Sequence, residues 1–505
     1  MKKQSMMNQS VSRRTALGLL GAGGATAVLA GCGMGMGGGS TTRKNANPGG
    51  TPGDPLTAPI ELRSSNGVLD VELTASATKL PWGDGERFAL AYNGSVPGPT
   101  LRVRPGDTLR VKLNNDLGQT TNLHTHGLHV SPEGNSDNIY VMVEPGKSFS
   151  YEYRIPDDHP SGTFWYHPHH HGTVAPQIFG GLAGALIVED RIDDIAELRG
   201  ADQHVLLLSD PRIGTSKSVL DATTAEKQAG REGDVLLVNG QLQPTITAPA
   251  GKVQYWRIVN SSASRYYRLS VDAPAMYLIG TDQGRLPSPQ RVNDVTLTPG
   301  QRAEVLVPLV GVGRVTLSTT EVERGKNMSM GSGMGGMGMG GGSTGASIGP
   351  TTPLLSVDVG PAQSPPANLP AEVRPAPSTP MRADRRRAIS FGAMSMGNGE
   401  FVIDGQSFSA DRITADPRSG TTEDWVVTNN SMMDHPFHLH VWPFQVIGRS
   451  GGGALDPGWR DTVNVPTGES VTLRIPFEDF TGKTVMHCHI LDHEDLGMMA
   501  NVEVS

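Results

Sequence analysis

The chain has almost no cysteine, with two residues, Cys32 and Cys488, among 505. Two cysteines in such different contexts exclude a disulfide framework, so each needs its own explanation. Aromatic residues are scarce at 5%, and the formal net charge is -8 with no basic tract. A nucleic-acid partner is therefore not expected, because no basic tract stands out that would neutralise a row of phosphates.

Glycine and proline are abundant, with 64 and 37 residues respectively. This composition favours a turn-rich β protein over a helical one, and the length suits about three domains of ordinary size. Beyond the N-terminal segment, no apolar run reaches the length of a transmembrane helix.

The first 31 residues have the pattern of a cleaved export signal. Basic residues precede a short, weakly apolar run over 16–30. Residues 12–17 resemble a twin-arginine signal, and Leu29-Ala30-Gly31-Cys32 resembles a lipobox. We therefore expect export to the periplasm or another extracytoplasmic space, with Cys32 lipidated as the only membrane anchor. The alternative is an ordinary secretory signal with a chance cysteine. Residues 32–53 read as a flexible tether.

A repeated pattern divides the rest of the chain into three units. Asn93-Gly94, Asn239-Gly240 and Asp404-Gly405 each precede a glycine turn and a strand-like run. Turn dipeptides beside β-branched runs indicate short strands and hairpins. The sequence therefore predicts an all-β protein of three β-sandwich domains, 54–190, 191–325 and 384–505. Between the last two lies a Met-rich and then Pro-rich insert or linker, 326–383, which does not read as core-forming.

Ten of the 15 histidines fall into four short motifs in the first and third units. The middle unit has only His204 and is interpreted as a spacer. The motifs are listed here: His124-Thr125-His126, His167-Pro168-His169, His435-Pro436-Phe437-His438-Leu439-His440, and His487-Cys488-His489 continuing to His493 and Met498.

Strand parity gives these spacings a meaning. Residues i and i+2 of a strand share a face, about 7 Å apart, so each His-x-His pair can present two imidazoles to different metal ions. Cys488 must face away from His487 and His489, and His435 has the parity to join it. Cys488, His435 and His493, with Met498 as a weak axial ligand, match an electron-transfer copper site.

The remaining eight motif histidines, four pairs, are the right number for a three-copper cluster, and soft thiolate and thioether donors favour copper over zinc, calcium or magnesium. His170 and His171 extend a motif but break its parity, so they are expected to be peripheral. His129, His159 and His204 are interpreted as ordinary histidines.

Together the four motifs resemble those of the multicopper oxidases, and the three units resemble that family's Greek-key cupredoxin-like domains. The resemblance covers residues 54–505 apart from the insert. It implies four copper ions: one type 1, one type 2 and two type 3. His124 and His438 would bind the type 2 ion; His126, His167 and His489 one type 3 ion; and His169, His440 and His487 the other.

The resemblance also implies that electrons pass from a reductant through the Cys488 site to the cluster, where dioxygen is reduced to water. That reaction needs protons, and Glu494 and Asp137 resemble the family's proton-relay carboxylates. For Asp137, an ordinary loop aspartate is an equal alternative.

The Met-rich insert points towards cuprous ion as the reductant, because thioethers are soft ligands. The cuprous oxidases of bacterial copper homeostasis carry a similar segment, and Met433 matches a methionine of their substrate site. Ser431 stands where an aspartate is usual, and Met432 adds a soft donor. In the insert, the candidate ligands are Met328, Met330, Met334, Met337 and Met339. The alternative is low-complexity sequence without a ligand.

We therefore expect a monomeric cuprous oxidase that also oxidises phenols and amines, as laccases do. A general laccase without a role in copper homeostasis is the first alternative. A copper storage or delivery protein would not need eight paired histidines beside a thiolate. A nitrite reductase would lack the full set of eight, and an electron carrier would keep only the Cys488 site.

Cys488→Ser is expected to abolish the blue colour and the oxidase activity together, because serine does not replace the soft thiolate ligand. Absorbance and dioxygen uptake of the copper-loaded protein measure both. Normal turnover in this variant would contradict the assigned electron route.

Overall fold

The computed structural model describes residues 50–82, 85–189, 195–212, 222–325, 351–363, 368–373, 382–393 and 401–505. Cys32, the export signal and the insert methionines Met328, Met330, Met334, Met337 and Met339 lie outside these ranges. Within them, none of the helices has the length and apolar character needed to cross a bilayer.

The first domain packs two sheets against each other. Its elements are β1 (Glu61–Arg63), β2 (Val68–Trp82), β3 (Gly85–Tyr92), β4 (Thr100–Val103), β5 (Thr108–Asp116), β6 (His124–His126), β7 (Ser148–Arg154), β8 (Gly162–His167), α1 (Val174–Phe179) and β9 (Gly184–Val188). The strand orders are β1-β4-β9-β8-β6 and β3-β2-β5-β7.

The second domain follows a short 3-10 helix, Ala196–Leu198. Its elements are β10 (Asp202–Ser209), α2 (Thr224–Ala229), β11 (Leu237–Val238), β12 (Thr245–Pro249), β13 (Val253–Asn260), β14 (Tyr267–Val271), β15 (Met276–Thr281), β16 (Gly284–Val292), β17 (Val295–Leu297), β18 (Arg302–Pro308), β19 (Gly313–Thr320) and β20 (Thr352–Gly360). The orders are β11-β10-β13-β18-β15-β16 and β12-β20-β19-β14-β17.

The third domain contains the remaining strands and the last helix. Its elements are β21 (Arg385–Ala393), β22 (Phe401–Ile403), β23 (Ile413–Ala415), β24 (Thr421–Asn429), β25 (His435–Leu439), β26 (Gln445–Arg449), β27 (Thr462–Val465), β28 (Ser470–Phe477), β29 (Gly482–Cys488), α3 (Leu491–Asp495) and β30 (Met499–Val504). The orders are β22-β21-β24-β28-β26 and β23-β30-β29-β25-β27.

The sequence repeat corresponds to one recurring sheet pattern, which confirms the predicted fold class. In each unit the strand after the glycine turn, β5, β13 or β24, pairs in parallel with an earlier strand, β2, β10 or β21. It also pairs antiparallel with β7, β18 or β28, the strand that follows the second turn motif. Each sandwich encloses its own apolar core.

The Pro-rich half of the predicted linker is partly structured, and there the prediction was wrong. Residues 352–360 form β20, which lies between β12 and β19 in the second domain. Leu355, Val357 and Val359 are buried in that domain's core. The proline-rich composition around this strand led to the linker prediction. The run itself has buried residues that alternate with the period of a strand.

Leu355→Ala is therefore expected to lower the free energy of unfolding by about 2–5 kcal/mol, the usual cost of truncating a buried leucine. Urea denaturation of the copper-free protein measures the change. Ser356→Ala, at a half-buried neighbouring position, is the matched control. Equal unfolding midpoints for the two variants would contradict a core role for β20.

Candidate metal centres

The first centre forms around Cys488 at the end of β29. The Sγ atom lies 3.3 Å from His435 Nδ1 and 3.8 Å from His493 Nδ1, and the two nitrogens are 3.3 Å apart. All three side chains are fully buried. Strand pairing sets this geometry: β25 lies antiparallel to β29 with Phe437 opposite Cys488, while α3 carries His493.

The surroundings of Cys488 suit a metal thiolate. Burial in the third-domain core raises the pKa of the thiol well above its ordinary value, so a cation is needed to hold the thiolate form. Met498 is buried in the same core, and its carbonyl accepts a hydrogen bond from the Cys488 amide at 3.0 Å. The structure therefore brings together the residues predicted for the type 1 site.

Eight further imidazoles meet where the first and third domains face each other. Their ligand atoms form overlapping groups of three. Within each group, the three ligand atoms lie within 4.8 Å of one another. The groups are His126, His167 and His489; His169, His440 and His487; and His124 and His438 with His126. The first two groups and the His124–His438 pair are the sets that the resemblance implies.

The hydrogen bonds of these histidines leave several ring nitrogens whose lone pairs face no hydrogen-bond donor. The Nδ1 atoms of His124, His167, His438 and His487 face oxygen acceptors at 2.8–3.0 Å. These contacts place the proton on Nδ1 and leave Nε2 unprotonated. Nε2 of His124, His167 and His438, Nδ1 of His126, and both nitrogens of His489 are buried without a hydrogen-bond partner among the described residues.

Burial also keeps the cluster uncharged, since it lowers the pKa of all eight imidazoles. His487 Nε2 lies 3.1 Å from the Nε2 atoms of both His169 and His440. Unpaired nitrogens in a dry site are costly unless something binds them, and copper is suited to imidazole nitrogen. The donor set therefore fits copper.

Asp137 is buried against His124 and is not an exposed loop residue. Its carboxylate accepts hydrogen bonds from His124 Nδ1 at 2.9 Å, from the Thr125 amide at 2.9 Å and from the Thr125 hydroxyl at 3.1 Å. Burial raises the pKa of Asp137 to about 7. The side chain thus orients His124 and can hold a proton near neutral pH.

Glu494 lies beside two other histidines of the cluster. Its carboxylate is fully buried, 3.2 Å from His487 Nδ1 and 3.6 Å from His169 Nδ1. Burial raises the pKa of Glu494 well above its ordinary value, so the neutral, proton-carrying acid is favoured. The two predicted carboxylates therefore lie beside different histidines of the cluster.

The second domain takes part in the site, so its interpretation as a spacer was wrong. Arg302 forms a buried ion pair with Asp461, which accepts a hydrogen bond from His126 Nε2 at 3.0 Å. The Asp461 carbonyl faces His438 Nδ1 at 2.8 Å. Gln283 donates to the same carboxylate at 2.8 Å. Sequence analysis missed all three residues because no motif connects them to the histidines.

Gly300 allows the second domain to approach the histidine cluster closely. Its φ is +85°, and an added Cβ would lie 2.8 Å from the His489 ring and 3.0 Å from His126. Only glycine fits at this position. The signal was present in the repeated Pro299-Gly300-Gln301 turn, but the sequence did not reveal what the turn touches.

Ser431 contacts the thiolate site at the position where an aspartate is usual. His435 Nδ1 faces the Cys488 sulfur, so the proton of the imidazole is on Nε2. The Nε2–H group of His435 donates to Ser431 Oγ at 2.7 Å. Met433 is half-buried beside this contact, and Met432 is 65% exposed. The serine therefore supplies a hydrogen-bond acceptor without a charge.

The other histidines lie apart from these groups. Among the residues that the structure describes, His129, His159, His170, His171 and His204 belong to no cluster of potential metal ligands. His129 instead contacts the Val441 carbonyl at 3.0 Å and Asp479 at 3.1 Å. His159 accepts a hydrogen bond from the His129 amide at 3.0 Å.

Comparison with known proteins gives a consistent result. Family models described as multicopper oxidase match residues 74–193, 202–325 and 375–505. The multicopper oxidase mco of Staphylococcus haemolyticus is 27% identical, covering 88% of this chain and 90% of the relative. The cell division protein FtsP of Xenorhabdus nematophila is 30% identical, covering 75% and 77%. The solved Campylobacter jejuni multicopper oxidase, described as a metallo-oxidase, superimposes with a TM-score of 0.77 at 29% identity, covering 91% and 98%.

Gly300→Ala is expected to release copper from the histidine cluster and to leave the blue absorbance of the Cys488 site in place. The added methyl group must displace His489 or His126. Copper content per chain and visible absorbance measure the two effects.

Gly146→Ala is the matched control, because Gly146 has a similar φ of +74° with nothing within 4 Å of an added Cβ. Both variants carry the backbone cost of a left-handed alanine, about 1–2 kcal/mol. Equal copper content in the two would contradict the close-approach role of Gly300.

Proposed function

Since the chain belongs to the multicopper oxidase family, we propose that this copper-dependent oxidoreductase is a cuprous oxidase with laccase-like activity on phenols and amines. Four cuprous ions would each give up one electron and leave as cupric ions. One dioxygen molecule and four protons would become two waters.

The residues that would hold the resident copper follow from the two centres. His435, Cys488, His493 and Met498 would hold the type 1 ion, His124 and His438 the type 2 ion, and the remaining six histidines the type 3 pair. Bound copper would supply one-electron acceptance at Cys488 and dioxygen reduction at the cluster. Cys488 is bonded through the backbone to His487 and His489, so a short covalent path joins the centres.

Protons would come from the two buried carboxyl groups. Glu494 is positioned to deliver a proton beside His487 and His169, and Asp137 beside His124. Because burial raises both pKa values, the two groups hold a proton at higher pH than ordinary carboxyl groups do, which suits a reaction that consumes protons.

Cuprous ion is supported as the reductant by one observation above all. Met432 and Met433 precede His435 by three and two residues, and the first is mostly exposed. Thioether sulfur is a soft donor suited to cuprous ion. The Met-rich segment outside the described residues adds further soft donors, and the similar Campylobacter jejuni protein is described as a metallo-oxidase.

Similarity to the cell division protein FtsP makes a role without catalysis the alternative to an oxidase. Such a role, like copper storage, would not require the buried lone pairs of eight imidazoles beside a thiolate. We further propose that the protein is exported by its twin-arginine-type signal, anchored through a lipid on Cys32, and monomeric.

Deleting residues 327–342 is expected to lower kcat/KM for cuprous ion by about tenfold and to leave the phenol syringaldazine unaffected, because only the metal substrate uses thioether ligands. Met433→Leu should act in the same direction. Steady-state dioxygen uptake with each reductant makes the comparison.

The matched control keeps the insert at full length and replaces its five candidate methionines with serine. This variant should behave like the deletion. Negligible cuprous turnover in the unmodified protein, or cuprous turnover unchanged by every variant, would leave a general laccase as the better description.

A further inference from the structure

The outer nitrogens of the two imidazoles beside Cys488 are occupied by different parts of the chain. His435 Nε2 donates to Ser431 Oγ at 2.7 Å, within the third domain. His493 Nε2 donates to the backbone carbonyl of Gln228 at 3.0 Å. Gln228 belongs to α2 of the second domain, so another domain occupies the His493 edge.

We call residues 224–233 the α2 cover. The side chains of Gln228 and Ala229 are exposed to solvent, whereas the Gln228 carbonyl faces the fully buried His493. One layer of backbone therefore separates this imidazole from solvent. The N–H that an organic reductant would use as a hydrogen-bond donor is already satisfied.

Buried ion pairs hold the α2 cover in place. Arg231 binds Asp492 through two side-chain nitrogens, at 2.7 and 2.9 Å, and its amide donates to the same carboxylate at 3.0 Å. Both side chains are 2% exposed, and Asp492 is the neighbour of His493. A paired, two-point contact of this kind fixes geometry as well as adding energy.

Two further contacts press the cover against α3 and the second domain. Gly230 has a φ of +74°, and an added Cβ would lie 2.7 Å from Ile490 and 2.8 Å from Ser264. Glu232 forms ion pairs with Arg324 and, at 3.1 Å, with Arg265. The cover is therefore closely packed on its inner side.

We propose that the α2 cover determines reductant specificity by restricting organic reductants to openings of the His493 edge, while cuprous ion delivers its electrons at the His435 edge. This inference rests on the proposed oxidase function and adds how the site chooses between reductants. At the His435 edge, Met433 and Ser431 are half-buried and Met432 is exposed.

The chemistry of the two reductants fits this division. A cuprous ion held by thioether sulfur gives up one electron and departs as cupric ion, and no proton is transferred at this edge. A phenol gives up an electron and a proton and must bring its ring close to an imidazole. At His493 that approach requires displacement of the cover.

Thr223→Ala combined with Ala229→Gly tests the cover from its exposed side. Thr223 and Glu226 form the capping box that begins α2, and glycine weakens its last turn. Each change should increase opening of the cover about fivefold. Hydrogen exchange over residues 224–233 should accelerate, and kcat/KM for syringaldazine should rise at least fivefold while that for cuprous ion stays within twofold.

Ala196→Gly, at an exposed position of the 3-10 helix that precedes the second domain, is the matched control and should change the turnover of neither reductant. A second variant replaces residues 224–229 with three glycines, whose reach of about 10 Å is close to the length of α2, about 9 Å. It should raise syringaldazine turnover further and retain the blue absorbance.

An unchanged ratio of phenol to cuprous turnover in both variants would overturn the proposed role of the α2 cover in specificity. So would fast exchange over 224–233 in the unmodified protein, because a cover that opens freely excludes nothing. Loss of the blue absorbance in the glycine variant would make the segment a structural support instead. Failure of the unmodified protein to oxidise cuprous ion would overturn the proposed function, yet leave the phenol comparison intact.

Discussion

The architecture depends on burying ten imidazoles and a thiol with their donor atoms turned inward. A buried imidazole is held neutral by desolvation, and an oxygen acceptor on one nitrogen leaves the other lone pair fixed in direction. Asp137, Asp461 and backbone carbonyls perform this task for His124, His126, His167, His438 and His487. For His167 and His487 the orienting oxygen is a carbonyl within the ligand motif itself. For His124, His126 and His438 it comes from Asp137 or Asp461, which lie outside the motifs.

The second domain makes this arrangement possible, although it contributes no ligand motif. Arg302 neutralises Asp461, which would otherwise be a buried charge beside two imidazoles, and an unpaired buried carboxylate is strongly destabilising. Gly300 lets β18 begin against His489 without a clash. On the other side, the α2 cover closes one edge of the thiolate site. One domain thus supports the cluster and covers one edge of the Cys488 site.

Strand β29 connects the two chemistries because successive side chains of a strand point to opposite faces. Cys488 faces the apolar core of the third domain, where a thiol has a raised pKa and a metal is needed to hold the thiolate. Its neighbours face a cluster whose ligands come from two domains. A single strand therefore places the two centres on opposite faces and joins them by a short covalent path.

Local sequence determined what depends on spacing along one chain segment: the all-β class, the three repeats, and the sets of ligands that parity places on one face. Composition misjudged residues 352–360, because prolines at the ends hid a strand whose pattern is alternating and apolar. Asp461, Arg302, Gly300 and the Gln228 carbonyl could not be found from sequence, since their contacts with His126, Asp461, His489 and His493 respectively form only when separate domains pack together. Their partners lie up to several hundred residues away, and no local periodicity records a contact between domains; only the tertiary structure decided them.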